Sequence, residues 1–357
     1  MAESLTRGGV FRTAIEEAKG LRNSHRVTLI SLMPSYDQWN ELIGDLQVRF
    51  PFQPHLRWMP NEILAALASS VIRTPGAFDL IISHDLPASR NAYLTCKASR
   101  RKYVSYVHEP NHFTLRNPIL GPIFKFSRKY ARKFATRTLS KAELVLTNSR
   151  MNSRRIQEIL GIESKPVYLG CHPASKPNTE GRTFALMVER LYPWDIFWRT
   201  LEIMRHVDGF QLVIAGSRTP QTPFLLHAIR KISKNHGLTR RVKIVVSPSE
   251  SQLNSLYTNA RVLIQPAVEP FGMPVLEAAG KGCCSIVAKG SGVCEIMGDE
   301  VFLEKEGDMS GFAARVQKLM TDVKLAAEMG ARAWNKAKQF SWDRHVQTIE
   351  DIALSLH

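Results

Sequence analysis

ARVLIQPAVEPFGMPVLEAAGKGCCSIVA, residues 260–288, carries a complete structural unit in one line. ARVLIQP (260–266) is a short apolar run of the kind that forms a buried strand, and CSIVA (284–288) is a second. Between them lie a loop and then PVLEAAGKG, a short helix. Strands rich in Val, Ile and Leu, each followed by a helix, indicate parallel sheet covered on both faces. The loop has its own chemistry. Pro270 pushes the backbone of Glu269 into an extended shape, and Gly272 tolerates backbone angles that side chains resist. Pro274 suits a first helical turn, where no amide hydrogen is needed, and Gly280 or Gly282 suits the helix end.

The same alternation runs outward in both directions. Towards the amino terminus, strands are expected at 25–32, 78–84, 102–108, 142–148 and 166–170, with helices at 9–22, 61–73, 87–99, 119–139 and 150–160. The second half adds strands at 183–188, 210–216, 241–246, 260–266, 284–288 and 301–304. The result is two doubly wound domains of the Rossmann-like kind, 1–172 and 173–340, joined by the Pro- and Gly-bearing CHPASKPNTEGR (171–182). In such folds ligands bind at the carboxyl ends of strands, and with two domains the cleft between them is the natural site.

At 357 residues the chain can bury a sizeable core, and its 44% hydrophobic content is ordinary for a globular protein. Its five cysteines form no C-x-x-C pair and no zinc spacing, which points to free thiols filling core in a reducing compartment. No signal core and no membrane-spanning apolar run occurs, so the expected location is the cytoplasm. The net charge of +16 directs attention to anionic partners: nucleic acid, an acidic membrane surface or a phosphorylated substrate.

Within 268–282 the start of the helix exposes free amides and partial positive charge, which suits a phosphate. Glu277 falls in its second turn, where a carboxylate can accept hydrogen bonds from the vicinal hydroxyls of a ribose. Glu269, on the loop, can hold another polyol. Two hydroxyl-binding acids bracketing a phosphate-binding helix start describe a site for a nucleotide-sugar.

EPFGMPVLEAAGKG resembles the E-x7-E signature of retaining glycosyltransferase family 4, built on the GT-B fold. RGGVFRTAIEEAKGL (7–21), YVHEP (106–110), VLTNSRMNSRRIQEILG (145–161), VERLYPW (188–194) and FSWDRHVQTIED (340–351) resemble further segments of that family, in its order. The resemblance implies two Rossmann-like domains facing a cleft, with 341–357 a closing helix that packs back on the amino-terminal domain. It implies transfer of a sugar from a nucleotide diphosphate to a glycan or lipid-linked acceptor, with retention at the anomeric carbon, in cell-surface glycan synthesis. On the matching positions, Glu277 binds the ribose, and Glu269 contacts the donor sugar. Backbone amides near Phe271, Gly272 and Met273 hold sugar or diphosphate. Gly8 and Gly9 present amides to the diphosphate, His108 contacts the sugar near the reacting carbon, and Arg190 grips the diphosphate. The stretch 249–257, with Tyr257, lies near the nucleobase. By their own sequence, Gly290 and Gly292 read either as a tight loop beside the pocket or as a plain turn. No metal or other cofactor is expected, and no Asp-x-Asp motif is present.

Two departures stand out. The lysine that the family places shortly after the arginine is Asp195 here, and the preceding glycine is Glu189. A unit-charge contact at roughly 4 Å and an effective dielectric near 20 is worth about 4 kcal/mol, so inverting its sign matters. Arg199, one helical turn on, either pairs with Asp195 or partly replaces the lysine. The family's first strand also has no counterpart: only the polar MAESLTR precedes Gly8, so either the true start lies upstream or the amino-terminal domain is incomplete. A non-catalytic GT-B subunit or binding module is the rival reading.

KFSRKYARKFATRTLSK (125–141) holds seven basic residues and no acid. Phe126, Tyr130 and Phe134 recur on one helical face, continued backwards by Ile119 and Ile123. Two readings of 119–141 stand side by side: a peripheral contact with an anionic membrane, or a domain helix with its aromatic stripe in the core. Nucleic acid is not expected, because no recognised motif or stacking groove accompanies the charge.

Overall fold

The computed structural model describes residues 8–32, 40–49, 77–110, 132–178, 180–192 and 195–356. Its chain divides into two compact units. One is Met1–Tyr168 with Asp343–His357; the other is Leu169–Trp342. The division falls at 168 and 343 because the chain on either side is stitched together within the second unit. Cys171 donates its amide to the Phe340 carbonyl at 2.9 Å, and Trp342 donates to the Cys171 carbonyl at 3.2 Å.

In the first unit the strands are Leu29–Ile30 (β1), Val48–Arg49 (β2), Leu80–His84 (β3), Lys102–Val107 (β4), Leu144–Thr147 (β5) and Lys165–Pro166 (β6). They form two parallel sheets, β1-β2 and β3-β4-β5-β6, and among the described residues no ladder joins the two. The expected strand over 25–32 narrows to two paired residues, because its one described neighbour, β2, is itself two residues long. The expected strand over 166–170 pairs earlier, at Lys165–Pro166, and its last ladder bond is Val167 to the Thr147 carbonyl. The helices Gly9–Leu21, Leu86–Ser99 and Arg150–Leu160 fall where the apolar period placed them. Ser149 caps the last by accepting the Asn152 amide, and Gly161 ends it in the left-handed region. The carboxy-terminal helix Trp342–Ser355 seals this unit: the His25 ring lies 2.8 Å from Glu350.

The second unit holds Phe184–Val188 (β7), Gln211–Gly216 (β8), Val242–Val246 (β9), Ala260–Gln265 (β10), Cys284–Ala288 (β11) and Phe302–Glu304 (β12) in one parallel sheet, ordered β12-β11-β10-β7-β8-β9. The order in which strands are added reverses between the parallel, central strands β7 and β10, which makes that junction the switch point where doubly wound folds bind ligands. The core beneath it is Met187, Leu201, Ile214, Val262, Ile264, Ile286 and Phe312, all essentially unexposed. Fully burying such a side chain contributes roughly 1.5–3 kcal/mol each. Gly216 is required by close approach: a Cβ there would lie 1.7 Å from the Glu189 carbonyl oxygen. The cysteines are free, and four of the five are buried; burial pushes the Cys96 thiol up to about 12 and the Cys283 thiol to about 11.

The segment 119–131 of the basic helix and the segment 61–73 lie outside the described residues. The described end of the basic helix, 132–139, is helical, and Ala135 and Leu139 pack into the core with Val107, Ile156 and Leu160. Phe134 is covered by the Arg90 guanidinium, 4.1 Å from its ring centre. Among the described residues no helix is long and apolar enough to cross a membrane.

Candidate active site

In the second unit the decisive stretch leaves β10 at the switch point. Its loop is zipped to the loop after β11. Gly292 donates to the Glu269 carbonyl at 3.0 Å, Val293 to the Phe271 carbonyl at 2.6 Å, and the Glu269 amide donates to Ser291 Oγ at 3.2 Å. Phe271 is buried as the anchor of the turn. Gly272 sits at φ +99°, with Val293 3.2 Å from where a Cβ would be, so both conformation and space call for glycine. The helix Met273–Gly280 then starts with Pro274 in its first turn and no acid there; the Val275 amide turns back to the Gly272 carbonyl at 3.0 Å, and the helix start carries the positive end of the dipole.

Glu277 and Glu269 keep half-exposed side chains. Glu277 has a partner that the sequence did not reveal: the Tyr257 hydroxyl donates to its Oε2 at 2.7 Å. The Tyr257 ring, on the Glu250–Asn259 helix, is buried. The expected place of 249–257 near the nucleobase concerns its backbone; the hydroxyl of Tyr257 adds a contact to the carboxylate. No spacing signals that contact, because the two residues lie on different helices.

Across the switch point, Arg190 follows β7 with its side chain exposed. Its amide donates to Glu189 Oε1 at 2.8 Å. Burial pushes the Glu189 carboxyl up, against the opposing pull of Arg190. Asp195 opens the helix Asp195–Arg205, and its Oδ2 lies 2.6 Å from Arg199 Nη2. Arg199 Nη1 also meets Glu306 Oε1 at 2.8 Å, and that oxygen accepts the Val268 amide at 3.4 Å. Arg199 is thus committed to two carboxylates. Three charges, two of them negative, leave the trio net negative, so Arg199 does not stand in for the missing lysine as a spare cation.

In the first unit, Gly8 caps the helix Gly9–Leu21 in an extended conformation, and the first turn carries no acid. His108 follows β4 and is almost fully buried. Its backbone is gripped from both sides. The Asp85 carboxylate accepts the amides of His108 at 2.7 Å and of Glu109 at 3.3 Å. The side-chain amides of Asn148 and Asn152 donate to the His108 carbonyl at 3.2 and 2.9 Å. Asp85 itself is held at φ +61°, a strained position for a residue with a side chain, of the kind that costs about 1–3 kcal/mol and clusters at functional sites. The His108 ring reaches His84, whose Nδ1 lies 3.0 Å from His108 Nε2. His84 Nε2 in turn lies 3.2 Å from Glu17, and Glu17 lies 2.8 Å from His345. Burial, and then the nearby His84, hold the His108 ring well below the usual histidine range, so it is neutral. Burial alone would push the Glu17 carboxyl up; the positive charge of the histidine pair around it and the hydrogen bonds from both rings outweigh burial and keep the group ionised.

Each unit therefore carries an anion-ready helix start, and His108, Arg190, Glu269 and Glu277 all lie at carboxyl ends of strands or on the helices that follow them. Two family models match. Glycosyltransferase Family 4 covers residues 7–170, and Glycosyl transferases group 1 covers residues 172–336. The chain is a group 1 glycosyltransferase of the family 4 type.

This nucleotide-sugar-dependent glycosyltransferase is 24% identical to the O-antigen chain mannosyltransferase B of Escherichia coli over 287 residues, 74% of this chain and 73% of that one. It also matches the D-inositol 3-phosphate glycosyltransferase of Salinispora tropica at 30% identity, over 32% of this chain and 25% of that one. The GT-B fold recurs in Anabaena HepE solved with UDP, at a TM-score of 0.76 and 19% identity, over 99% of this glycosyltransferase and 98% of that chain. It recurs again in the sucrose-phosphate synthase of Thermosynechococcus elongatus, at a TM-score of 0.83 and 14% identity, over 98% and 94% of the two chains.

Proposed function

We propose that this glycosyltransferase moves a hexose from a nucleotide diphosphate to a glycan or lipid-linked acceptor in cell-surface polysaccharide synthesis, with retention at the anomeric carbon. The observation that carries the reading is Glu277, which accepts a hydrogen bond from Tyr257 and lies in the second turn of the acid-free helix start that follows Gly272. In this reading Glu277 accepts the ribose hydroxyls, and Glu269 and the amides near Phe271 and Met273 hold sugar or diphosphate. Arg190 and the helix starts at Gly9 and Gly272 stabilise the leaving diphosphate through positive charge and dipole, without a metal. His108 contacts the sugar. A relative named for O-antigen mannosyl transfer supports the glycan acceptor, and a fold neighbour solved with UDP and with UDP-glucose supports the donor class. The proposed location is the cytoplasm, at the inner face of the membrane if 119–141 contacts anionic lipid.

The test is thermal stabilisation by a panel of UDP-, GDP- and ADP-sugars, with Glu277→Ala alongside. Ligand at about 100 times its Kd adds roughly 2.7 kcal/mol. A shift with one nucleotide, lost in Glu277→Ala, fits the proposal; no shift with any overturns it. The net-negative Asp195–Arg199–Glu306 trio favours a second reading, a GT-B subunit that binds without turnover. Product formation with a shifting donor and a glycan acceptor excludes that reading.

A further inference from the structure

Behind His108 lies a chain of side chains to which the proposed reaction assigns no role. Glu17 comes from the Gly9–Leu21 helix, His84 from the end of β3 and His345 from the Trp342–Ser355 helix; all three are buried. The Tyr106 ring lies nearly parallel to that of His108, with centres 4.3 Å apart, and its hydroxyl donates to the Val167 carbonyl.

Donor and acceptor accounting fixes the protons. The Tyr168 carbonyl can only accept, and it lies 2.8 Å from His345 Nδ1, so that nitrogen carries hydrogen. The Glu17 carboxylate can only accept as well. Its Oε1 is 2.8 Å from His345 Nε2 and its Oε2 is 3.2 Å from His84 Nε2, so both nitrogens carry hydrogen. His345 thus holds two protons and is the cation that balances Glu17. His84, with that charge already balanced, is neutral and presents a bare Nδ1. The nitrogen facing it at 3.0 Å, His108 Nε2, must then donate.

We propose that Glu17, acting through His84, fixes His108 as the neutral tautomer protonated on Nε2, so that Nδ1 is a permanent hydrogen-bond acceptor for a hydroxyl of the donor sugar. The sugar contact rests on the function proposed above; the tautomer does not. Chemistry favours the arrangement. Positive charge develops on the sugar ring as the diphosphate leaves, and an imidazolium at His108 would oppose it, whereas a neutral acceptor does not. Glu17 and His84 are positioning residues in this scheme, since neither touches the sugar.

The test uses the full chain labelled with 15N-histidine. Two-bond proton–nitrogen correlations distinguish bare from protonated ring nitrogens, and His108 is assigned by the signals lost in His108→Gln. The expected pattern is a bare Nδ1 with a protonated Nε2 for His108, and two protonated nitrogens for His345. In Glu17→Gln the amide oxygen still accepts from His84 while its NH2 donates to His345 Nε2. His345 then loses one proton, and the His108 tautomer is unchanged. His84→Phe keeps a ring in place but removes both nitrogens, so His108 shifts towards protonation on Nδ1, and kcat/KM falls roughly tenfold or more. Wild-type His108 protonated on Nδ1 overturns the proposal, and so does a His108 pattern unmoved by His84→Phe. If the tautomer is as expected but His84→Phe leaves kcat and KM unchanged, the sugar-acceptor role falls and the tautomer stands. Should His84→Phe fail to fold, the wild-type and Glu17→Gln spectra decide alone.

Discussion

The two units handle charge in opposite ways. Around Glu277 the second unit works with a half-exposed carboxylate, an exposed arginine and the positive end of a helix. Around His108 the first unit buries a carboxylate and three histidines in one connected cluster. The first arrangement suits a ligand that brings its own charge and must leave again. The second suits a group whose protonation must not drift, because burial makes each wrong proton expensive. One unit is built to receive charge and the other to hold it still.

The strongest blow to that contrast falls on Glu277. Glu277→Ala removes the carboxylate that faces the ribose. Donor affinity should drop by more than a hundredfold, about 3 kcal/mol, as measured by calorimetry, with the melting temperature of the free protein little changed. A large loss of stability without ligand would mean that Glu277 is structural.

The pH dependence of stability sharpens the other side. The folded-state value of His108 lies below its unfolded value near 6.5, so above that pH the ring is neutral in both states and costs nothing. Below it the unfolded chain takes up a proton that the folded chain refuses, and stability falls with pH at up to about 1.4 kcal/mol per unit. Glu17 adds a loss of the same sign at lower pH, starting near about 4.3, because its folded-state value is depressed. Between pH 6.5 and 5 the wild type should lose about 2 kcal/mol in urea titrations, and His108→Gln should show a markedly flatter profile. Equal slopes would remove His108 from the account.

Tyr257→Phe deletes one hydrogen bond to a charged group, worth about 1.5–3 kcal/mol when buried and less at a half-exposed carboxylate. Donor Kd should rise roughly tenfold while kcat stays within about twofold. A change in kcat without a change in Kd would contradict a purely positioning role. The smallest effect belongs to Asp195→Lys. It turns the net-negative trio positive at an exposed site, so donor binding should tighten by about 1 kcal/mol, more at low salt. Weaker binding would show that Asp195 serves the site through Arg199.

Much of the second unit's site was legible because its determinants are local. Pro270, Gly272 and Pro274 dictate a turn and a helix start within five residues, and the strands on either side are continuous apolar runs. Strands β3, β4 and β5 were legible for the same reason. The His108 cluster was not: Glu17 and His345 lie 328 positions apart, and only folding brings them together. His108 itself stood out through its neighbours, but Asp85, His84 and Asn152 carry no spacing that marks them as its partners. Tyr257 was noticed for its position, but its hydrogen bond to Glu277 was not, since the two residues lie on different helices. The fate of Arg199 was one of two readings, and Glu306, which decided it, arrives from a distant loop.

The ion pair between Glu17 and His345 also has a consequence for the order in which the protein is made. Translation delivers Leu169–Trp342 as one continuous stretch, which can fold as it emerges. The rest of the first unit precedes that stretch, yet its helix 343–355 follows it in the chain. Until that helix is made, Glu17 faces an interior that lacks the cation it needs. The pocket around Glu17 therefore closes only with a segment that lies beyond the whole second unit in the chain.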